Sequence, residues 1–130
     1  MLTLYKWYIR TTLEYAAPVW HSSLTAEQHM TLERLEKRCL RIILGDAYVT
    51  YRHALEVLGI QSLYDRREAL TRRFGESLLQ SPDHRDFLPP TLEEVHGRQT
   101  RNRSKLQNIR CRFERYRKST IPYIVRMLNS

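Results

Sequence analysis

The residues best suited to chemistry lie in one short segment, residues 98–118. This segment carries nine basic residues and one acidic residue, Glu114, whereas residues 1–97 carry 12 basic and 13 acidic residues. Almost all of the net charge of +8 therefore comes from residues 98–118. The nine basic residues are Arg98, Arg101, Arg103, Lys105, Arg110, Arg112, Arg115, Arg117 and Lys118. A near-neutral body with one cationic segment predicts that this segment binds a polyanion.

The residue types in the segment favour nucleic acid as that polyanion. Seven of the nine basic residues are arginine, whose planar guanidinium suits bidentate contact with phosphate. Phe113 and Tyr116 lie among them, and aromatic rings beside arginines can stack on unpaired bases. The expected partner is the backbone of RNA or DNA, with weak sequence specificity, because no residue here indicates readout of base identity. The alternative is a solvated charge run that only aids solubility.

The rest of the chain indicates no catalytic chemistry. None of the five histidines is paired with a histidine or cysteine at metal-binding spacing, and no Cys-x-x-Cys occurs. There is no glycine-rich phosphate loop, and Asp83–Asp86 fits a solvated loop. We therefore expect no catalytic residue, no metal and no cofactor. Cys39 and Cys111 cannot build a disulfide framework, which favours an intracellular location, in the nucleus or cytoplasm. No apolar run is long enough to span a membrane.

Helices are predicted to form the body that carries this segment. Apolar residues spaced three and four apart predict a first helix over residues 2–16, which Pro18 stops. Tyr5, Tyr8 and Trp20 are expected in the core, with their polar groups at its edge. The same helix has apolar residues almost all round, so we also expect an exposed apolar patch on it.

Capping signals define the second helix most clearly. Thr25 and Gln28 fit a capping box at its start, and Gly45 follows its last turn. The predicted buried face consists of Leu32, Leu35, Cys39, Ile42 and Ile43, and the predicted exposed face of Glu33, Arg34, Glu36, Lys37 and Arg41. Thr50 and Gly59 delimit a short third helix over about residues 51–58.

A fourth helix is predicted to open at Ser62 and to end before Ser81. Beyond it, residues 91–108 show no periodicity and are predicted to be loop, whereas residues 110–117 fit either a strand or a helix. Pro122 is expected at the first position of a terminal helix.

Together these elements predict an all-α protein. We expect a small bundle of about four helices, an irregular basic C-terminal extension and a short terminal helix. The predicted domains are a helical domain over residues 1–81 and the basic extension over residues 82–130.

Several stretches of the chain, taken in order, resemble one family. They are Leu4–Arg10 running into Leu13–Trp20, then Leu32–Ile43 and Tyr51–Leu70. These resemble the region that follows the catalytic palm in polyproteins of non-LTR (LINE-type) retrotransposons, particularly jockey- and CR1-like elements. Arg115–Pro122 resembles the close of such polyproteins. The resemblance covers essentially the whole chain.

The resemblance implies part of an RNA-directed DNA polymerase, namely its helical thumb and the extension after it. In that family the thumb grips the template–primer duplex beside the catalytic palm, so the palm is an implied partner. The family's metal-binding Tyr-x-Asp-Asp motif is missing here, as is the endonuclease segment, which implies a non-catalytic fragment. Thr11 stands where the family usually has proline, so the first helix is expected to run through this position.

Two other interpretations remain open from the sequence. One is a helical protein–protein interaction module with a solubilising basic tail. The other is a decayed retroelement remnant without function.

Overall fold

The computed structural model describes all of residues 1–130, and its regular elements are helical apart from one isolated bridge between Thr91 and Leu106. This confirms the predicted all-α class. The helices are, in chain order, α1 (Leu2–Leu4), a π-helical segment (Tyr5–Arg10), α2 (Thr11–Glu14), α3 (Ala17–Trp20), α4 (Ala26–Leu44), α5 (Tyr51–Leu58), α6 (Leu63–Gln80), α7 (Leu92–His96), α8 (Glu114–Arg117) and α9 (Thr120–Asn129). Short 3₁₀ turns cover His21–Ser23, Gly45–Ala47 and Arg85–Phe87.

The chain forms two compact units. The first consists of Met1–Ala17 and Leu24–Glu68, and the second of Pro18–Ser23 and Ala69–Ser130. The sequence-based boundary at residue 81 does not coincide with this division, which falls inside α6. The reason is that residues late in α6 pack on the terminal helix, a contact between segments about 50 residues apart that local patterns do not reveal.

The N-terminal helix, which we define as α1, the π-helical segment and α2 together, runs without a break through Thr11, as expected. It ends at Glu14 rather than at residue 16, because the backbone leaves the helical conformation at Tyr15, where ψ is 126°, and Ala16 then has a positive φ of 51°. Pro18 does not stop a helix here. It lies in the first turn of α3, where a helix needs no N–H donor.

The N-terminal helix buries only part of its apolar surface. Tyr5 is 1% exposed and lies in the core as predicted, but Tyr8 is 70% exposed, so its predicted core position is wrong. Leu4 and Trp7 are also exposed, at 58% and 72%. The expected exposed apolar patch is therefore present on this helix, because one helix face suffices to contact the rest of the first unit.

Helix α4 has the predicted capping box at Thr25 and Gln28 and ends at Gly45. Its inward face, however, is not the one predicted. Glu36 and Leu40 are fully buried, whereas Leu35 and Ile42 are exposed. The prediction placed Glu36 outside because it is charged, but three hydrogen-bond donors surround its carboxylate, and such partners make burial of a charge tolerable.

Those donors tie the first unit together around Glu36. The Tyr5 hydroxyl donates to Oε1 at 3.0 Å, and the Leu63 amide donates to Oε2 at 3.0 Å. The Tyr51 hydroxyl also donates to Oε2. One side chain of α4 thus contacts the N-terminal helix, the start of α5 and the start of α6. As predicted, Thr50 caps α5, and Gly59 ends it in a left-handed conformation.

The second unit has a separate apolar core. Its buried members are Leu78, Leu88, Leu106, Ile124 and Val125, with Ile109, Ile121 and Leu128 packed against them. Helix α6 approaches α9 closely at Gly75, where a Cβ atom would lie 2.7 Å from Ile124 Cγ2. Glycine is therefore required here for space, not for backbone freedom.

Two local predictions for the second unit are corrected. Residues 91–108 are not all loop, because α7 (Leu92–His96) lies among them, with Thr91 as its N-cap in a capping box with Glu94. Five residues are too few to show a helical period, so only the capping box signals this helix. Ser119, not Ile121, is the N-cap of α9, which places Pro122 in the third helical position. Residues 114–117 are helical, which decides between the two alternatives left open there.

Candidate nucleic-acid interface

All the candidate binding residues lie in the second unit, and all are solvent-exposed. The residues are Arg98, Arg101, Arg103, Lys105, Arg110, Arg112, Phe113, Arg115, Tyr116, Arg117 and Lys118. Contact with phosphate requires an exposed side chain, because a guanidinium buried in the core is not accessible to the phosphate backbone of a nucleic acid. The fold does not gather them into one patch, however, but into two groups.

The first group, which we call the loop cluster, consists of Arg98, Arg101, Arg103 and Lys105. Backbone hydrogen bonds hold this loop on the N-terminal end of α7. The Leu92 amide donates to the Lys105 carbonyl at 2.9 Å, and the Glu93 amide donates to the Arg103 carbonyl at 3.1 Å. The loop backbone is thus fixed while its side chains extend into solvent.

The second group, which we call the α8 cluster, consists of Arg110, Arg112, Arg115, Arg117 and Lys118. Arg115 and Arg117 lie in helix α8, Lys118 follows it, and Arg110 and Arg112 precede it. Glu114 is its acidic residue and lies 3.9 Å from Arg117 and 3.7 Å from Lys118. All three side chains are largely exposed, so these ion pairs are weak and exchange readily with phosphate.

Leu106, the residue after the loop cluster, and helix α8 lie at opposite ends of α9. Its last residue, Asn129, accepts a hydrogen bond from the Leu106 amide and donates one to the Leu106 carbonyl, each at 2.9 Å. The α8 cluster instead precedes the N-cap of α9, Ser119. Ten helical residues span roughly 15 Å, so helix α8 and Leu106 lie about that far apart along α9. Arg110 lies in the segment that joins them, two residues after Asn108, which also contacts Asn129.

The two aromatic candidates accompany only the α8 cluster. Phe113 is 68% exposed and Tyr116 is 48% exposed. The Arg112 guanidinium lies 5.6 Å from the centre of the Phe113 ring, within cation–π range. Both rings line an open groove of about 640 Å³. The full lining is Val19, Ser23, Phe113, Arg115, Tyr116, Ser119 and Thr120.

The groove contains residues that sequence reasoning missed. Val19 and Ser23 come from a segment about 100 residues upstream, and Thr120 connects to it by donating from Oγ1 to the Val19 carbonyl at 2.9 Å. No local pattern signals this pairing. Arg126 is a further missed cation at the α8 cluster, because its guanidinium donates to the Arg117 carbonyl at 2.7 Å.

The polar side chains of the segment Asp83–Asp86 contact neighbouring residues of their own turn. In the segment Asp83–Asp86, His84 Nδ1 lies 2.9 Å from Ser81 Oγ, and the Arg85 guanidinium donates to the carbonyls of Leu88 and Pro89. These contacts hold the turn after α6.

No group of three or more His, Cys, Asp and Glu side chains is placed to hold a metal ion. None of the helices combines the length and apolar character needed to cross a bilayer.

The strongest electrostatic perturbations lie in the first unit. Burial raises the pKa of Tyr5 and of Tyr51, and the adjacent charge and hydrogen bonding of Glu36 add to both shifts. Burial lowers the pKa of Arg67, an effect opposed by the charges of Glu33 and Glu36. These groups lie in the first unit, whereas the candidate interface lies in the second, so they belong to a separate structural polar network.

Comparisons with protein-family models, with curated proteins and with solved structures gave no match to this chain.

Proposed function

We propose that the second unit binds the phosphate backbone of RNA or DNA, and that the chain is a non-catalytic part of a retrotransposon-type RNA-directed DNA polymerase. The observation that supports binding is the exposure of all nine basic residues of residues 98–118 beside a single acidic residue. The polymerase relationship rests on the sequence resemblance alone. Such a partner implies a location inside the cell, in the nucleus or cytoplasm.

The length of α9 suits contact with several phosphates of a nucleic-acid strand. Duplex DNA places one phosphate per strand about every 3.4 Å along its axis, so the length of α9, roughly 15 Å, corresponds to four or five phosphates. A template–primer duplex lying along α9 would contact both clusters. Because the contacts are to phosphate, they position the duplex without reading its sequence.

The test is a fluorescence-anisotropy titration of duplex and single-stranded probes at four salt concentrations. Each phosphate neutralised contributes about −0.9 to the slope of log K against log salt for duplex DNA. Four to six contacts predict a slope of roughly −4 to −5, and a several-hundred-fold loss of affinity from about 50 to 200 mM salt. Replacing Arg110, Arg112, Arg115 and Arg117 with Gln should reduce the slope by up to about 3.6.

A second quadruple variant controls for overall charge. Arg34, Arg38, Arg41 and Arg52 are exposed in the first unit, and their replacement by Gln removes the same four charges. We expect this control to keep nearly the wild-type slope. Equal slopes for wild type and the α8-cluster variant would contradict the proposal and would leave the basic segment as a solubilising tail.

A second candidate function, protein–protein interaction, is favoured by the exposed Leu4, Trp7 and Tyr8 of the N-terminal helix. In the polymerase proposal this surface packs on the catalytic palm. We expect the isolated chain to self-associate and to bind a dye specific for apolar surface, and we expect Trp7→Ser with Tyr8→Ser to reduce both effects. Wild-type sedimentation as a clean monomer without dye binding would count against the fragment interpretation.

A further inference from the structure

A polar cavity in the first unit brings together three cations and one carboxylate. Its volume of about 350 Å³ lies at the lower end of the range for small-molecule sites. All of its lining residues belong to the first unit, so it is separate from the basic segment of the second. They are Lys6, Arg10, Thr11, Glu14, Gly59, Ile60, Gln61 and Arg66. Three basic residues and one acidic residue give this lining a formal charge of +2.

The π-helical segment explains why two of the cations face the same cavity. Hydrogen bonds in a π-helix join residues five apart, so Lys6 lies beside Arg10 and Thr11 on one face of the N-terminal helix. Short π-helical turns within α-helices occur frequently at functional sites. Arg66 reaches the cavity from near the start of α6. Two segments far apart in the sequence therefore supply the three positive charges.

The Arg10 side chain is held in place before any ligand arrives. The residue is only 8% exposed. Its Nε donates to Glu14 Oε1 at 2.9 Å, and its Nη2 donates to the Gln61 carbonyl at 2.6 Å. A guanidinium carries five N–H donors, so these two contacts leave three donors for an acceptor in the cavity. Because the guanidinium is already ordered, binding does not have to immobilise it.

The single carboxylate of the cavity is already neutralised by arginine. Glu14 Oε1 accepts from Arg10, and Oε2 accepts from Arg66 Nε at 3.3 Å. The Arg66 side chain is 47% exposed, and Lys6 is exposed as well. Their charged groups can therefore turn toward an anion while Arg10 stays fixed. Guanidinium and ammonium groups are the side chains that bind phosphate oxygens most strongly.

We propose that this cavity binds a terminal phosphate group, that is, a phosphomonoester. Such a group carries close to two negative charges at pH 7, which matches the formal charge of the lining, whereas a phosphodiester carries only one. A phosphate group fills the volume of a few water molecules, of about 30 Å³ each. The cavity is larger than that, so it also accommodates the group that carries the phosphate. This site goes beyond the proposed backbone binding and does not depend on it.

The test is an NMR titration of the ¹⁵N-labelled full chain at constant ionic strength, with inorganic phosphate, ribose 5-phosphate and dimethyl phosphate as probes. We expect saturable shifts of the Thr11, Ile60 and Gln61 amides with the first two probes. Ribose 5-phosphate should bind more tightly than inorganic phosphate, because its sugar also contacts the cavity. Equal affinity for the two would overturn the inference that the carrier group is bound. Dimethyl phosphate, a diester, should bind about 10-fold more weakly than ribose 5-phosphate, since one charge-assisted contact is lost.

Two double variants separate the cavity from overall charge. Lys6→Gln with Arg66→Gln removes the two exposed cations, keeps Arg10, and should weaken ribose 5-phosphate binding about 10- to 100-fold. Arg34→Gln with Arg38→Gln is the matched control, because both residues are exposed in the first unit but lie outside the cavity. This control should bind as the wild type does, and circular dichroism of each variant checks that the helices persist.

Either of two results would overturn the site. One is a set of shifts confined to the basic segment of the second unit, and the other is equal affinity of the two double variants for ribose 5-phosphate. The α8-cluster variant should retain the shifts at Thr11, Ile60 and Gln61. Failure of the cavity proposal is therefore distinguishable from failure of the proposed backbone binding, which the salt slopes of the nucleic-acid probes report.

Discussion

Replacement of Glu36 tests the polar network that holds the first unit together. Glu36→Leu removes the acceptor for the Leu63 amide and for the Tyr5 hydroxyl, both of which lie in buried residues. Each buried donor left without an acceptor costs about 1–3 kcal/mol. The Tyr51 hydroxyl can turn toward water, because that residue is only half-buried, so its loss should cost less.

The new apolar contacts of leucine offset part of this cost, since apolar replacements of buried charges are often tolerated. We therefore expect Glu36→Leu to reduce the free energy of unfolding by about 2–4 kcal/mol. Glu36→Gln keeps the shape and one carbonyl oxygen, which still accepts from Leu63, while the Tyr5 hydroxyl can rotate to accept from the new amide. Only the charge-assisted part of each bond is lost, so about 1–2 kcal/mol is expected.

The assay is urea unfolding followed by circular dichroism, together with hydrogen exchange of peptides from α4 and α5. Exchange assigns the loss to the first unit, whereas peptides from α9 should be little affected. Glu56 on α5 is an exposed control, and Glu56→Leu should change stability by less than about 0.5 kcal/mol. A Glu36→Leu protein as stable as Glu36→Gln would refute the reasoning, because satisfied donors would then contribute nothing.

Two further predictions concern the tyrosine hydroxyls that contact Glu36 and the close approach of α6 to α9 at Gly75. The raised pKa of Tyr5 and of Tyr51 means that their contribution to stability is fully present below pH ~10, the unfolded value, and is lost as the pH rises toward the folded value. The free energy of unfolding measured above pH ~10 should therefore fall by up to about 1.4 kcal/mol per pH unit for each hydroxyl. The double variant Tyr5→Phe with Tyr51→Phe should flatten this dependence. Identical slopes for wild type and the double variant would contradict the prediction. Gly75→Ala should destabilise the second unit by about 1–2 kcal/mol in thermal unfolding despite the higher helix propensity of alanine, because its Cβ meets Ile124 Cγ2. Combining it with Ile124→Leu, which removes that methyl branch, should recover part of the loss; strictly additive effects would show that the clash is not the cause.

Capping signals in the sequence predicted the bounds of α4 and α5 well. Thr25 with Gln28, and Thr50 with Gly59, act within one turn of the backbone, so their effect can be read from neighbouring residues. The buried face of α4 could not be derived in the same way. Glu36 is inside because three donors from distant segments converge on it, and polarity alone places it outside.

The candidate interface was also only partly predictable from the sequence. Exposure of the basic residues follows from their charge, which burial would penalise, so this part was predictable. The position of the loop cluster beside the C-terminal end of α9 was not, because it depends on the pairing of Asn129 with Leu106 across 23 residues. The groove could not be predicted from local patterns either, because Val19 and Thr120 are far apart in the sequence and come into contact only in the folded chain.

The anchoring of the basic loop affects what binding a partner would cost in conformational entropy. Ordering the backbone of one flexible residue costs about 1–2 kcal/mol, and immobilising a long side chain costs about 0.5–1.5 kcal/mol. Hydrogen bonds to α7 and to Asn129 already fix the backbone of the loop cluster before any partner arrives. Binding phosphate then requires ordering of the side chains alone. A solubilising tail has no such requirement and needs no fixed backbone, so the observed anchoring favours the nucleic-acid proposal over that alternative.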